Sequence, residues 1–406
     1  MKRKKISDIC DVVGGFAFPS NSMKCDKGRY QIIKMSNLYQ GNFDLNRNPS
    51  FIDEIEPRHK QYLLQEGDVL MTLTGTIGKK DYGFSVQILK QKNLLLNQRV
   101  CLLRPKAEKV NGYYLLQLLR SKNFLAQFFE SSIGGTGNQS NVSITLLKDM
   151  VVELPEIETQ TAIADMLLTW DQSIEKTERL IAAKEIRLFA LYQKCFQPGT
   201  SINAYWKLKK LSTYLISRNE KAIPTEDVPL YSLTIENGVT AKTDRYNRDF
   251  LVKDTDSKAY KVVCPGDIVF NPANLRWGAI ARSAVEHKVV ISPIYEVLEI
   301  RKDIVDPELL SHAITCPRQI GIYATKTEGT LIERMAVKLD VFLLIEILLP
   351  ESLDAQRKIG MLLRAAREEI DLLKKQLESY RQQKRGLMQK LLTGQWRVKI
   401  NPEVVK

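Results

Sequence analysis

The chain has 406 residues, 60 Lys and Arg against 47 Asp and Glu, a net charge of +13, and hydrophobic and charged fractions of 44% and 26%. Those proportions exclude wholesale disorder, and the length allows two or three domains, each able to bury a core of its own. The six cysteines, at 10, 25, 101, 195, 264 and 316, are too far apart for a C-x-x-C metal clip or redox pair and fit a reducing, cytoplasmic setting.

The first ten residues, MKRKKISDIC, are basic but lack an apolar core, so no secretory signal is expected. Strand-type runs follow at RYQIIKMSNL, DVLMTL and LLLNQRVCLL, and NGYYLLQLLRSKNFLAQFF (111–129) predicts one helix. A polar, glycine-rich loop, SSIGGTGNQSNVS (131–143), precedes LPEIETQ and a long helical stretch. Further strand-type runs are DVPLYSL, DIVFN and VVISPIYEVLEI. DPELLSHAITCPRQIGIYA (306–324) predicts a helix shortened or kinked at Pro317. LPESLDAQ then opens a second long helix. VFLLIEILL (341–349) is far below the ~20 residues of a membrane-spanning helix, so no membrane partner is expected.

These elements are written twice. Gly67-Asp68 recurs as Gly266-Asp267, Pro155 as Pro350, and Gln160 as Gln356. In the first long helix, positions 163 to 195 step alternately by 4 and 3. They include Ile163, Leu167, Trp170, Ile174, Ile181 and Leu188, interrupted by Thr177 and Lys184. Adding 196 gives Ile359, Leu363, Ile370, Leu377, Leu387 and Leu391, with Lys384 as the interruption. That step is a coiled-coil seam. A 35-residue helix is ~50 Å long, and an apolar stripe of that length needs a partner. The economical solution packs the two helices on each other. The expected fold is α+β: two pseudo-symmetric, strand-rich mixed α/β domains joined by two long coiled-coil helices. The expected divisions are 1–154, helix 155–197, 198–349, helix 350–395 and a tail 396–406.

Catalytic motifs are missing. GTIGKKD (75–81) lacks P-loop spacing, and no G-x-G-x-x-G or G-x-S-x-G is present. His59, His287 and His312 lack partners at metal-ligand spacing and read as surface or core histidines. NPAN (271–274) only approaches the N-P-P-[Y/F] of amino-methyltransferases and reads as a strand-ending turn.

The basic balance points to a polyanion, nucleic acid being the commonest. Candidates for touching it are Lys79 and Lys80; Thr136, Asn138, Gln139 and Asn141 of the polar loop; and Asn274, Arg276 and Trp277 after NPAN. Lys326, Thr330 and Arg334 of TKTEGTLIERM complete the set, in the equivalent place of the second half. The second long helix is also basic. Residues 357–390 hold ten Lys and Arg against four Asp and Glu, whereas 161–194 hold five of each.

Two unlike globular parts, each leading through LPEIETQ or LPESLDAQ into a long helix ending YQKCF or MQKLLTG, resemble the specificity subunit of a type I restriction-modification enzyme. GDVLMTLTGTIGK, LNQRVCLLRPK, GDIVFNPANLRWGAI and ISPIYEVL resemble the framework of that family's target-recognition domains. The resemblance implies a non-catalytic subunit. Each domain would read one half of a split, asymmetric site on double-stranded DNA, and antiparallel helices would set the spacing. It also implies two methylation subunits forming an adenine methyltransferase, and two restriction subunits that translocate and cut. S-adenosylmethionine, ATP and Mg would belong to those partners. The rival readings are a stand-alone DNA-binding regulator and a coiled-coil scaffold.

Overall fold

A computed structural model describes residues 1–134, 139–241, 259–328 and 335–398. The chain forms two compact units: Met1–Thr177 with Gln376–Lys406, and Glu178–Lys375. Each contains one globular part and half of each long helix, Ile157–Phe196 and Leu353–Leu392.

In the first unit an antiparallel sheet has the order Cys10–Gly14, Val100–Pro105, Val69–Thr72, Ser85–Gln87. In the second, the same order is Leu215–Ser217, Glu296–Ile300, Ile268–Phe270, Ile280–Arg282. A second sheet repeats as well, through one parallel pair: Tyr30–Ile33 beside Leu94–Leu96, and Leu230–Thr234 beside Val289–Ile291. A parallel pair needs a crossover connection, so its recurrence marks a shared topology rather than shared hairpins.

The paired Gly-Asp turns explain why those two residues recur. Gly67 and Gly266 have φ of +92° and +88°, where a side chain is strained. The buried Asp68 accepts from Gln65 N at 2.7 Å and forms a two-pronged pair with Arg104, both contacts 2.8 Å. Asp267 accepts from Cys264 N at 2.8 Å and pairs likewise with Arg218, at 2.7 and 3.1 Å. Arg104 lies in the strand Val100–Pro105 whereas Arg218 follows the strand Leu215–Ser217, so the two units keep the interaction and not its donor.

Each expected helix before the long one is a pair of short helices. Gly112–Leu119 and Lys122–Glu130 break at Arg120–Ser121; Pro307–Thr315 and Pro317–Thr325 break at Cys316. The first break corrects the single helix expected over 111–129. Ser121 Oγ accepts from Phe124 N, so it starts a new helix, and Arg120 turns inward to donate to Gly41 O and Ser85 O. LLLNQRVCLL likewise divides into two strands, at a turn where Arg99 has φ +69°.

The glutamines of LPEIETQ and LPESLDAQ are clamps. Gln160 is 1% exposed; its Oε1 accepts from Asn111 N at 3.0 Å, and its Nε2 donates to Pro155 O and Lys109 O at 3.0 and 3.2 Å. Gln356, equally buried, accepts from Asp306 N at 2.7 Å and donates to Pro350 O at 2.8 Å. Each clamp therefore joins the start of a long helix to the N-cap of a short one, satisfying backbone groups that burial would otherwise leave orphaned.

The seam register follows the 4-3 step. Ile163, Leu167, Ile181, Leu363, Ile370, Leu377 and Leu391 are buried. Trp170, Ile174, Leu188, Ile359 and Leu387 are half-buried. In the first unit the helix halves run antiparallel, with Trp170 edge-on to Tyr380 at 5.7 Å and Lys384 on Asp171 at 2.6 Å. In the second, Lys184 meets Glu369 at 2.6 Å and Lys374 meets Glu185 at 2.7 Å. The polar interruptions are thus occupied. Lys184 and Lys384 carry ion pairs, and Thr177 Oγ1 donates to Ser173 O. No helix among the described residues is long and apolar enough to cross a membrane.

Candidate nucleic-acid interface

In the first unit, folding brings together residues about sixty positions apart in sequence. The strand Thr74–Thr76 pairs with Gln139–Asn141, which pairs in turn with Ile133–Gly134. Lys79 and Lys80, both exposed, lie on the turn that leaves Thr76, close to the strand carrying Gln139 and Asn141. Thr136 and Asn138 lie outside the described residues.

The turn is built to hold a shape. Asp81 accepts from Thr76 N and Oγ1 at 2.6 and 2.8 Å, and these hydrogen bonds pull its carboxyl below the usual carboxylate range. Gly75 lies so close to Asp81 and Tyr82 that a Cβ there would fall 2.4 Å from each. Tyr82 Oη and Ser140 Oγ share a hydrogen bond of 2.9 Å, and Ser140 Oγ donates on to Ser132 at 2.9 Å. Thr74 Oγ1 donates to Asn141 Oδ1 at 3.1 Å, so Asn141 has its amide nitrogen to offer, while Gln139 is exposed. Lys80 sits with its Nζ 5.5 Å from the Phe129 ring.

The second unit presents other side chains on the same framework. After strand Ile268–Phe270, Asn271 Oδ1 accepts from Ala273 N at 3.1 Å, a local turn that places the exposed Asn274 ahead of the single helical turn Leu275–Trp277. Arg276 lies 5.1 Å over the ring of Trp277, and its Nη1 donates to Met335 Sδ at 3.4 Å. Trp277 is 63% exposed, unusual for so large an apolar surface. Lys326 caps the end of Pro317–Thr325 and is exposed; Thr330 and Arg334 lie outside the described residues.

One backbone contact recurs. Val142 N donates to Leu73 O at 3.0 Å, and Val337 N donates to Pro272 O at 3.0 Å. In both units the segment after the polar loop is thereby tied to the strand-ending turn. The capping residues Asp81, Tyr82 and Met335 were not among the sequence candidates. Their role depends on partners 5 to 59 residues away and leaves no spacing signal.

The histidines fall inside and outside the units' cores. His59 is buried against Phe16 and Phe18, His287 is exposed, and His312 is buried against Tyr192. Among the described residues no three His, Cys, Asp or Glu side chains gather as a metal site.

The family described as the type I restriction modification DNA specificity domain matches residues 1–185. Over its first 185 residues the chain is similar to that family. It is also similar from end to end to a protein of Methanocaldococcus jannaschii provisionally named the type I restriction enzyme MjaX specificity subunit. That relative is 24% identical over 420 positions, covering 98% of this chain and 93% of the relative. The fold is that of a solved type I restriction-modification S subunit from M. genitalium, with a TM-score of 0.61 and 16% identity over 96% of this chain and 95% of that one. A second solved chain, from work on complex assembly and conformational transition of the type I R-M system, gives a TM-score of 0.53 at 14% identity over 96% and 97%. Within residues 1–185, the lysine turn leaves the strand that pairs with Gln139–Asn141, and the repeated framework places Asn274, Arg276 and Trp277 on the corresponding turn of the second unit.

Proposed function

We propose that this chain is the DNA-specificity subunit of a type I restriction-modification complex, itself non-catalytic. Each unit reads one half of a bipartite, asymmetric site. Lys79, Lys80, Gln139 and Asn141, with Thr136 and Asn138, serve one half. Asn274, Arg276, Trp277 and Lys326, with Thr330 and Arg334, serve the other. The long helices set the half-site spacing and dock two methylation subunits. Restriction subunits join those, and S-adenosylmethionine, ATP and Mg act on the partners.

One observation carries this reading. Each unit ties its strand-ending turn to its polar-loop segment by the same backbone hydrogen bond, yet offers different chemistry there: lysines and amides in one, an arginine-backed tryptophan in the other. Lysine contacts phosphate as a point charge, whereas Asn and Arg match adenine and guanine edges. Equal frameworks with unequal side chains suit two unlike short sequences.

The helices supply the test. Four residues inserted at paired seam positions in both lengthen each by ~6 Å, close to two base-pair rises. Methylome sequencing of a host expressing the lengthened chain should show the same two half-sites with a longer gap between them. A changed half-site at constant gap refutes the ruler. Tight, specific binding by the chain alone, with no methylation in any host, favours the stand-alone regulator instead.

A further inference from the structure

The lysine turn of the first unit has cations and amides but no openly stacked ring, whereas the second unit has Trp277. A ring does stand at the base of the excursion that carries that turn, on a loop far away in sequence. Tyr39 is 44% exposed and lies edge-on to Phe84, 6.0 Å between centroids. Phe84 ends the excursion that carries Lys79 and Lys80; its N donates to Thr72 Oγ1 at 3.1 Å. The Arg47 guanidinium lies 4.2 Å from the Tyr39 ring centroid. Among the described residues it has no carboxylate at ion-pair distance.

The loop holding this stack is locked from below. Asn37, fully buried, accepts from Lys34 N at 2.9 Å and donates its amide to Asp44 O and Arg47 O, 2.9 Å each. The half-buried Arg120 donates to both Gly41 O and Ser85 O, at 2.9 and 2.7 Å, stapling the corner to the strand that follows the lysine turn. Gln40 and Asn48, each directly after a member of the stack, hold left-handed φ of +54° and +50°. Neither anchor uses the side chain of Arg47 or Tyr39. A stacked guanidinium on a fixed backbone loses little freedom on binding, and its planar fork matches guanine O6 and N7.

We propose that the Tyr39–Arg47 stack is a sequence-reading element of the first unit, Arg47 taking a guanine edge with Tyr39 as its backing. The proposal rests on the DNA-specificity reading. The second unit also stacks an arginine on a ring, but there Arg276 donates to Met335 and it is the Trp277 ring that is exposed.

The test selects bound sequences from a randomised duplex pool with the full chain, then repeats it with Arg47→Ala, Arg47→Lys and Tyr39→Phe. The expected result is that Arg47→Ala and Arg47→Lys both lose preference at one G·C position of one half-site, by about tenfold or more, with the other half-site unchanged. Tyr39→Phe should retain it. Circular dichroism should show all three folded as the parent. An unchanged motif in Arg47→Ala overturns the proposal. So does a uniform loss across sequences that Arg47→Lys restores, which assigns Arg47 to phosphate. A parent chain that selects no motif at all sinks the DNA-specificity reading, and this inference with it.

Discussion

Where the short helices meet the long ones, the first unit places Tyr113 and Gln117 beside Asp171 and Lys384, and the second places Glu308 and His312 beside Tyr192 and Arg367. Tyr113, Gln117 and Asp171 are the counterparts of Glu308, His312 and Arg367 at offsets of 195 and 196. In the first unit Asp171 accepts from Tyr113 and from Lys384 at 2.6 Å; burial pulls the lysine's affinity for its proton down, and Asp171 opposes that pull. In the second, burial pushes His312 down to about 4, against the pull of Glu308 at 3.6 Å and with the help of Arg367 and Arg282. Tyr192 Oη shares a 3.0 Å hydrogen bond with its Nδ1. One position in the architecture thus holds a charged pair in one unit and a neutral ring in the other. What duplication fixed is the place where a polar group is tolerated, and each unit then satisfied it separately.

The sharpest way to break this comparison is at the clamps, which are alike. Gln160→Leu strands Asn111 N, Lys109 O and Pro155 O, and Gln356→Leu strands Asp306 N and Pro350 O. Each should cost about 3–5 kcal/mol, read as a lowered urea midpoint, since an unsatisfied buried group costs ~1–3 kcal/mol. A loss from only one substitution would show that the units do not depend on the clamp equally.

The next separates them by pH. The folded state holds His312 below its ordinary value of 6.5, so the unfolded chain takes up the proton first as pH falls. Stability tied to this group is intact above about pH 6.5, declines towards pH 4 and is flat below. The full loss is ~3 kcal/mol. His312→Gln, which installs the first unit's residue, should remove that dependence. The measurement is the difference between parent and variant unfolding free energies across pH 7 to 4; a constant difference would contradict the buried neutral ring.

The smallest effect concerns the turns. Lys79→Ala with Lys80→Ala should reduce the slope of log affinity against log salt by ~2 if both meet phosphate, while Asn274→Ala should leave the slope unchanged. Equal slopes in all variants would place the lysines off the DNA.

The long helices and their seam register were legible because coiled-coil periodicity is local: each seam position announces itself within a few residues. The clamps were visible as recurring glutamines, but their N-cap partners lie 49 or 50 residues away and only folding brings them near. The break at Ser121 was hidden because YYLLQLLRSKNFLAQFF keeps helical periodicity across a residue that also caps. The Tyr39–Arg47 stack left no signal, since Asn37 and Arg120 fix it through carbonyls that any residue supplies. Four of the twelve interface candidates, Thr136, Asn138, Thr330 and Arg334, fall outside the described residues.

The hydrogen bond from Val142 to Leu73, and its twin from Val337 to Pro272, joins main chain to main chain. Such an anchor is blind to side-chain identity: the acceptor is leucine in one unit and proline in the other. Mutation can rewrite the exposed residues on either side without loosening the mount. A surface fastened this way can change its chemistry and keep its shape, as a type-holder grips any letter by its shank.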